Sequence, residues 1–208
     1  MFEDCVASYQ RGDYATALDL LRQLAEQGDV KAQYDLGLRY YFGEGVPQDD
    51  RLALKWYRKA AEQGHTEAQN KIGYMYFCDR GVWEDDADQE RWYRKAAEQG
   101  DADAQSYLGF MYYFGAGVPQ NTAEAVTWYC MAAEQGDVYA QNNLGTIYEN
   151  SQSVPQDYVS AHMWFTLAVA HGDQYAQEER DIIAHKMTPD QIAEAQRMAR
   201  EWTAKHQQ

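Results

Sequence analysis

The chain has 208 residues, of which 45% are apolar and 14% aromatic, and its formal net charge is -15. This composition excludes a disordered chain, and the length is sufficient to bury a sizeable core. The negative charge disfavours a nucleic-acid partner, because phosphate backbones are bound by lysine and arginine. No apolar stretch approaches the roughly 18–20 residues of a membrane span, so membrane insertion is not expected.

The N-terminal segment, residues 1–28, predicts an incomplete helix pair. Gly12 and Asp13 form a short turn before a helix that runs from Tyr14 to Gln27. The segment has no basic region followed by an apolar one, so no signal peptide is visible. A cytoplasmic location is therefore expected, and a periplasmic or secreted location stays open if a signal peptide was removed.

A repeat of 36 residues occupies most of the chain. The phrase AAEQG ends at Gly64 and Gly100, and related phrases end at Gly28, Gly136 and Gly172. Ala-Gln pairs, Trp-Tyr pairs and single glycines recur at the same spacing, which is the sequence signature of a repeat architecture. The predicted repeats are residues 29–64, 65–100, 101–136 and 137–172.

Each repeat predicts two helices, a helix A followed by a helix B. In the repeat 65–100, helix A is predicted from Thr66 to Phe77 and helix B from Asp86 to Gln99. A glycine in the left-handed conformation ends each repeat, and the next residue caps the following helix A. The predicted helix A caps are Asp29, His65, Asp101 and Asp137, and the helix B caps are Asp49, Asp85, Asn121 and Asp157.

A glycine lies in the middle of each of the four A helices, at Gly37, Gly73, Gly109 and Gly145. A mid-helix glycine is about 1 kcal/mol less favourable than alanine. Four of them in register predict a packing requirement, either a close approach of helix B or space for a large ring.

The last unit, residues 173–204, predicts a degenerate helix followed by a C-terminal capping helix. Thr188 is the predicted N-cap, Pro189 the first helical residue, and Gln191 completes a capping box. Residues predicted to cover the last helix pair are Ile192, Ala195, Ala199 and Trp202. Because such pairs bury their apolar faces only by stacking, the predicted fold is all-α, a right-handed α-solenoid of antiparallel helix pairs forming one domain.

The phrase FGAGVPQ at 114–120 is similar to the start of a phosphate-binding loop. It follows a helix instead of a strand, and Gln120 occupies the position where a third glycine is needed. The same phrase recurs as FGEGVPQ at 42–48. The sequence therefore predicts a turn between helices A and B, and no nucleotide or other cofactor. The variant NSQSVPQ at 150–156 predicts a changed turn geometry.

The pattern AQYDLGLRYYFGEGVPQDDRLALKWYRKAAEQG resembles a Sel1-like repeat, a relative of the tetratricopeptide repeat. The resemblance covers about residues 12–177 and implies an adaptor that binds a partner protein or peptide without catalysis. A cysteine-rich branch of that family is linked to penicillin binding and β-lactamase activity, which leaves a hydrolase as an alternative. That branch has a disulfide-forming cysteine pair in each repeat, whereas Cys5, Cys78 and Cys130 are odd in number and irregularly spaced.

No catalytic or metal-binding motif is present in the sequence. Gly-x-Ser-x-Gly, Ser-x-x-Lys, His-Glu-x-x-His and Cys-x-x-Cys are all absent. The five histidines show no ligand spacing, and each is expected to be solvated or to cap a helix: His65, His162, His171, His185 and His206. The acidic run at 84–90 is expected at the start of a helix B, where the helix dipole favours carboxylates. It adjoins the irregular phrase CDRGVWEDD, which indicates either a contact site or sequence tolerance.

The predicted partner-binding surface lies on helix A, on the concave side of the superhelix. Leu36, Gly37 and Tyr40 are expected to face helix B, so a different face of helix A lines the groove. Rings occupy most of that face in the first three repeats, which is typical of an interface, although packing between successive A helices is the alternative. The predicted contact residues are Tyr34, Leu38, Tyr41, Asn70, Tyr74, Phe77, Ser106, Phe110, Tyr113 and Asn142.

The polar residues of that set are expected to hydrogen-bond a peptide backbone. In the fourth repeat the equivalent positions are Asn142, Thr146 and Glu149, so the apolar groove is predicted to be confined to the first three repeats. A monomer is expected, and self-association through an exposed end or groove stays open as a third function.

Overall fold

The structure is a computed structural model, and it describes residues 7–8, 10–77, 86–150 and 155–206, without the side chains of Phe77 and 86–88. The chain forms two compact units, Met1–Gln99 and Gly100–Gln208. We call them unit 1 and unit 2.

Every regular element in the described ranges is an α-helix, as predicted. Unit 1 contains α1 (Tyr14–Glu26), α2 (Val30–Phe42), α3 (Asp50–Glu62), α4 (Thr66–Phe77) and α5 (Asp86–Glu98). Unit 2 contains α6 (Ala102–Phe114), α7 (Thr122–Glu134), α8 (Val138–Asn150), α9 (Tyr158–Ala170), α10 (Gln174–Ala184) and α11 (Pro189–His206). The predicted helix pairs α2/α3, α4/α5, α6/α7 and α8/α9 are present, and α10 packs against the preceding α9.

Aspartates cap the A helices as predicted. Each carboxylate accepts a hydrogen bond from the backbone amide three residues later in the chain. The distances are 2.8, 2.8, 2.6 and 2.8 Å for Asp29, Asp101, Asp137 and Asp173. At the equivalent position His65 accepts from the Ala68 amide through Nδ1 at 3.3 Å. This bond is longer than those of the aspartates, and its acceptor is a ring nitrogen instead of a carboxylate, so α4 has the weakest of these caps.

The mid-helix glycines make space for a large ring, which was one of the two predicted reasons. A Cβ atom on Gly37, Gly73, Gly109 or Gly145 would lie 2.6 to 2.8 Å from a ring carbon. The rings belong to the fully buried helix B residues Tyr57, Tyr93, Tyr129 and Phe165, in the same order. Each ring therefore lies directly on the backbone of its helix A, where no side chain fits.

The turn from helix A to helix B begins with a left-handed glycine. Gly43 and Gly115 end α2 and α6 with φ of 72° and 71°, and Gly45 and Gly117 continue the turn at 74° and 72°. These angles suit glycine, so the turn is a helix C-cap as predicted. The equivalent turns with the predicted irregularities, at 78–85 and 151–154, lie outside the described residues.

The C-terminal helix α11 packs against α9, as predicted for a capping helix. Thr188 and Gln191 form the predicted capping box, with 2.9 Å from the Thr188 amide to Gln191 Oε1 and 3.3 Å for the reciprocal bond. The Trp202 ring lies 6.2 Å from that of Trp164. The alanines of α11 that are buried in the core of unit 2 are Ala195 and Ala199.

Buried glutamines on the A helices bond both to the preceding repeat and to the end of helix B in their own repeat. Gln33 Nε2 donates to the Ala25 carbonyl of α1 at 3.1 Å, and Gln33 Oε1 accepts from Gln63 at the end of α3 at 2.7 Å. The same glutamine pairs occur further on, Gln99–Gln69 at 2.7 Å and Gln135–Gln105 at 2.8 Å. In the next repeat the donor position is His171, and Gln141 Oε1 is buried without a hydrogen bond among the described residues.

Candidate partner-binding surface

The predicted contact residues of unit 1 lie beside its core. Tyr34, Leu38 and Tyr74 are partly buried and pack against the core cluster that contains Tyr57. The Phe77 side chain lies outside the described residues. Each of these side chains of unit 1 lies partly in the core and partly at the surface. Both predicted alternatives, core packing and surface exposure, therefore apply in part.

The expected exposure of Tyr41 is wrong, because only 8% of its surface is accessible. Its side chain packs in the same core cluster as Ala53 and Leu54 of α3. The neighbouring Phe42, 59% exposed, contacts it edge-on with ring centroids 4.9 Å apart. The exposed ring in this turn of the helix is therefore Phe42, one residue after Tyr41.

The expected role of Ser106 and Asn142 as open peptide anchors is also wrong. Ser106 is buried, and its hydroxyl donates to Asp137 at 2.9 Å, while Asn142 Nδ2 donates to Asp173 at 2.9 Å. Both acceptors are N-cap aspartates of the next helix A. These polar side chains therefore hold the cap of the following repeat, and Asn70 at the equivalent position is likewise not free.

In the first full repeat the position equivalent to Ser106 and Asn142 is Tyr34, and its partner is a histidine instead of an aspartate. Its ring stacks on His65 with centroids 4.5 Å apart and an angle of 23°. His65 is the one helix A cap in the described repeats that is not aspartate. The two positions therefore change together: Ser or Asn accompanies an Asp cap, and Tyr accompanies the His cap.

The rings on α6 form a cluster with an exposed end. Phe110 and Tyr113 are partly buried, and their ring centroids lie 4.8 and 4.9 Å from that of Phe114. Phe114 is 57% exposed. The cluster therefore offers an apolar surface at the C-terminal end of α6.

Further exposed apolar side chains share this face. We define the A face as the positions equivalent to Lys31, Tyr34, Leu38, Tyr41 and Phe42 in every helix A, which follow one another at helical spacing. Among the described residues, five of the seven large exposed apolar side chains lie on it. They are Phe42 in unit 1 and Phe114, Tyr139 at 50%, Tyr175 at 54% and Ile182 at 50% in unit 2.

The sequence analysis missed Tyr139 and Tyr175, which lie one helical turn before the face that it considered. Their position holds Lys31, Glu67 and Asp103 in the earlier repeats. A change from three charged residues to two tyrosines in one register was the signal that could have identified them.

Both of these tyrosines have hydroxyl groups that are shifted away from ionisation. Burial raises the pKa of both hydroxyls, and the nearby Glu179 carboxylate raises the pKa of Tyr175 further. Both groups therefore stay protonated at neutral pH and present neutral rings to solvent.

Two polar residues are more buried than expected. Glu149 is buried and accepts a hydrogen bond from Lys186 Nζ at 3.0 Å, an ion pair that closes the end of α8. His162 was expected to be solvated or to cap a helix, but it is buried on α9, with Nδ1 3.3 Å from the Thr166 hydroxyl. Neither residue is available to a partner.

Other chemistry receives no support in the described ranges. No group of three or more His, Cys, Asp or Glu side chains is arranged there for a metal ion. No helix in these ranges has both the length and the apolar character of a membrane span. Burial raises the pKa of the Cys130 thiol to about 11, so this free thiol is protonated and weakly nucleophilic at neutral pH.

The comparison with protein families decides the family of this repeat. The Sel1 repeat model matches residues 8–29, 30–65, 66–101, 102–137 and 138–173. The chain belongs to the Sel1 repeat family. Members of this family typically act as protein-interaction modules. No curated protein matches the chain.

Solved structures agree with this assignment. A protective antigen of uropathogenic Escherichia coli with an SLR fold is 36% identical, with a TM-score of 0.81 over 91% of this chain. A Sel1 repeat protein from Oxalobacter formigenes is 33% identical, with a TM-score of 0.77 over 85% of this chain and 73% of its own. The predicted fold class, an all-α solenoid of helix pairs, is confirmed.

The chain spans only 41% of the length of the Escherichia coli protein. An immunity protein from Pseudomonas aeruginosa is similar in fold over 92% of this chain and 73% of its own, with a TM-score of 0.51, but only 21% identical. That similarity concerns the fold alone.

Proposed function

We propose that the chain is a non-catalytic module that binds a partner protein or peptide through the A face of unit 2. The observation that carries the proposal is the exposure of Phe114, Tyr139, Tyr175 and Ile182 on the A face of three successive A helices. Exposed apolar side chains grouped on one face of a protein often mark interaction sites.

The chemistry of the face suits a protein partner. Tyrosine and phenylalanine bring large contact areas with few rotatable bonds, and they are enriched at protein interfaces. The hydroxyls of Tyr139 and Tyr175 stay neutral at neutral pH, so a partner can cover these rings without burying a charge.

The proposed contact set in unit 2 therefore loses two residues that the sequence predicted and gains four that it did not. Ser106 and Asn142 are replaced as contacts because they hold aspartate caps. The proposed contacts are Phe110, Tyr113, Phe114, Tyr139, Tyr175 and Ile182.

A substitution experiment tests the proposal. Phe114→Ser combined with Tyr139→Ser removes two exposed rings, whereas Met131→Ser removes an exposed apolar side chain from α7, off the A face. We expect proteins that co-purify specifically with the wild type to be lost from the double variant and retained by Met131→Ser. Retention of the same proteins by a folded double variant would refute the proposal.

Two remaining expectations are part of the same proposal: the module is a monomer, and it acts in the cytoplasm. Light scattering across a concentration series tests the first, and a mass that rises with concentration contradicts it. Fractionation of the source cells tests the second, and recovery outside the cytoplasm contradicts it.

A further inference from the structure

Unit 2 has an unusual charge distribution along its sequence. No lysine or arginine occurs between Lys95 and Arg180, although the chain has 18 of them. The same stretch has eleven carboxylates, Glu98, Asp101, Asp103, Glu124, Glu134, Asp137, Glu149, Asp157, Asp173, Glu178 and Glu179. Lys186, which lies beyond this stretch, pairs with Glu149, and the remaining carboxylates have no lysine or arginine within the stretch itself.

Several of these carboxylates lie at or beside the exposed rings of the A face. Asp103 is exposed on α6 at the position that holds Tyr139 on α8 and Tyr175 on α10. Glu178 is exposed on α10 at the position equivalent to Ser106. Glu179 lies close enough to Tyr175 to raise the pKa of its hydroxyl. Apolar and acidic side chains thus alternate along this face.

In the two B helices of unit 1, α3 and α5, a lysine lies over a tryptophan ring. Lys59 Nζ lies 4.5 Å from the Trp56 ring centroid, and Lys95 Nζ lies 4.4 Å from that of Trp92. In the next repeat the position equivalent to these lysines is Met131. The first helix pair of unit 2 has no lysine or arginine of its own to place over a ring.

We infer that the partner is a cationic segment, a peptide or protein loop that combines lysine or arginine with apolar side chains and lies along the A face of unit 2. This inference rests on the proposed function. Cations are attracted both by ring faces and by the carboxylates among them. An acidic segment is disfavoured, because its charges meet Asp103, Glu178 and Glu179, while the nearby cations Arg180 and Lys186 are already paired with Asp181 and Glu149.

The length of the segment follows from helix spacing. Packed helices lie about 8–10 Å apart, so the face formed by α6, α8 and α10 extends about 20 Å. Phe114 and Tyr139 also lie 11 register positions apart along the helix axis, about 16 Å at 1.5 Å per residue. An extended segment that reaches the rings of all three A helices in unit 2 therefore needs about nine residues.

Peptide display on the full chain tests the inference, with random peptides of about 12 residues, which is longer than the segment needed. We expect the enriched peptides to contain more lysine and arginine than the input library, together with aromatic or aliphatic residues. Their binding is expected to weaken as salt is raised, because charges at an exposed face are screened.

A matched pair of variants locates the charge effect. Asp103→Asn with Glu178→Gln removes two exposed carboxylates from the A face, and Asp190→Asn with Glu134→Gln removes two exposed carboxylates elsewhere in unit 2. We expect the first pair to bind an enriched peptide about three- to tenfold more weakly, and the second pair to bind it as the wild type does. Equal weakening by both pairs would show unspecific attraction and overturn the inference.

The remaining outcomes separate the two proposals. Peptides that lose binding to Phe114→Ser with Tyr139→Ser but contain no excess of lysine and arginine would overturn the cationic partner and leave the proposed function standing. Peptides that bind this variant as well as they bind the wild type would overturn both. Failure to enrich any peptide would overturn the inference of a linear cationic segment.

Discussion

At the scale of single residues, the contact between Gly109 and the Tyr129 ring fixes how closely α6 and α7 pack. A Cβ at position 109 would lie 2.6 Å from a ring carbon. We predict that Gly109→Ala destabilises the protein by about 1–3 kcal/mol, although alanine is the better helix former. Urea unfolding followed by circular dichroism measures the change, and a gain in stability would contradict the prediction. In a Tyr129→Leu background the same substitution is expected to cost less, because the ring is gone.

The hydrogen bonds between glutamines predict opposite effects on stability for two substitutions. Gln141 Oε1 is buried without a hydrogen bond among the described residues, because His171 replaces the glutamine found at 63, 99 and 135. We predict that His171→Gln stabilises the protein by about 1 kcal/mol, and that Gln135→His destabilises it by about 1–3 kcal/mol. Thermal unfolding measures both changes, and a change of the same sign for the two variants would contradict this account.

The buried His162 makes stability depend on pH. Burial, aided by the positive charge of Arg180, lowers the pKa of His162 below the ordinary value of 6.5. The unfolded chain therefore takes up a proton before the folded one does, so stability falls as the pH drops through about 6.5 and below.

The equivalent residue in the first full repeat, Leu54, is buried and apolar, so His162→Leu is the matched variant. We predict that the variant loses less stability than the wild type between about pH 7.5 and about pH 5. Unfolding midpoints across this range measure the difference, and parallel losses would contradict the assignment.

At the scale of helices, the position of Tyr34 in each helix A and the N-cap of the next helix A are predicted to act as a pair. Tyr34 stacks on His65, whereas Asn142 donates to Asp173. Tyr34→Asn and His65→Asp each break the stack without completing the alternative hydrogen bond. The combined variant restores a pair found elsewhere in the chain, so its stability is expected to exceed the sum of the single effects by about 0.5 kcal/mol or more. Additive effects would show that the two positions are independent.

The helices were predictable from sequence because the signals for them lie within one repeat. Caps such as Asp29, turn glycines such as Gly43, and the need for space at Gly37 all depend on neighbours in a single helix pair. The burial of Tyr41 was not predictable from a face count. It depends on how far the side chain reaches into the core formed with α3.

The polar positions of the predicted surface failed for a different reason. Ser106 and Asp137 are 31 residues apart in sequence, and the spacing by itself does not show that their side chains meet. Comparing registers across repeats would have suggested it, since Tyr34 and His65 depart from the common residues together. The same comparison identifies Tyr139 and Tyr175, where charged residues give way to rings.

At the scale of the whole molecule, the repeats share a fold but differ in what they expose. Lys31 and Lys71 lie on α2 and α4 of unit 1, whereas the repeats of unit 2 up to Glu179 contain no lysine or arginine. The 36-residue repeat conserves caps, glycines and buried rings, and the exposed positions of each helix A vary. Partner choice is therefore expected to depend on the positions that the repeat leaves variable.

Site-specific photocrosslinking tests the central claim, that the A face of unit 2 binds a partner. A benzophenone amino acid replaces Tyr139 on α8 in one variant and Met131 on α7 in the other, two exposed positions on different helices of unit 2. In cells that produce the protein, we predict a discrete higher-mass adduct from position 139 that is absent from position 131. Equal adducts at both positions, or an adduct at 131 alone, would contradict the account.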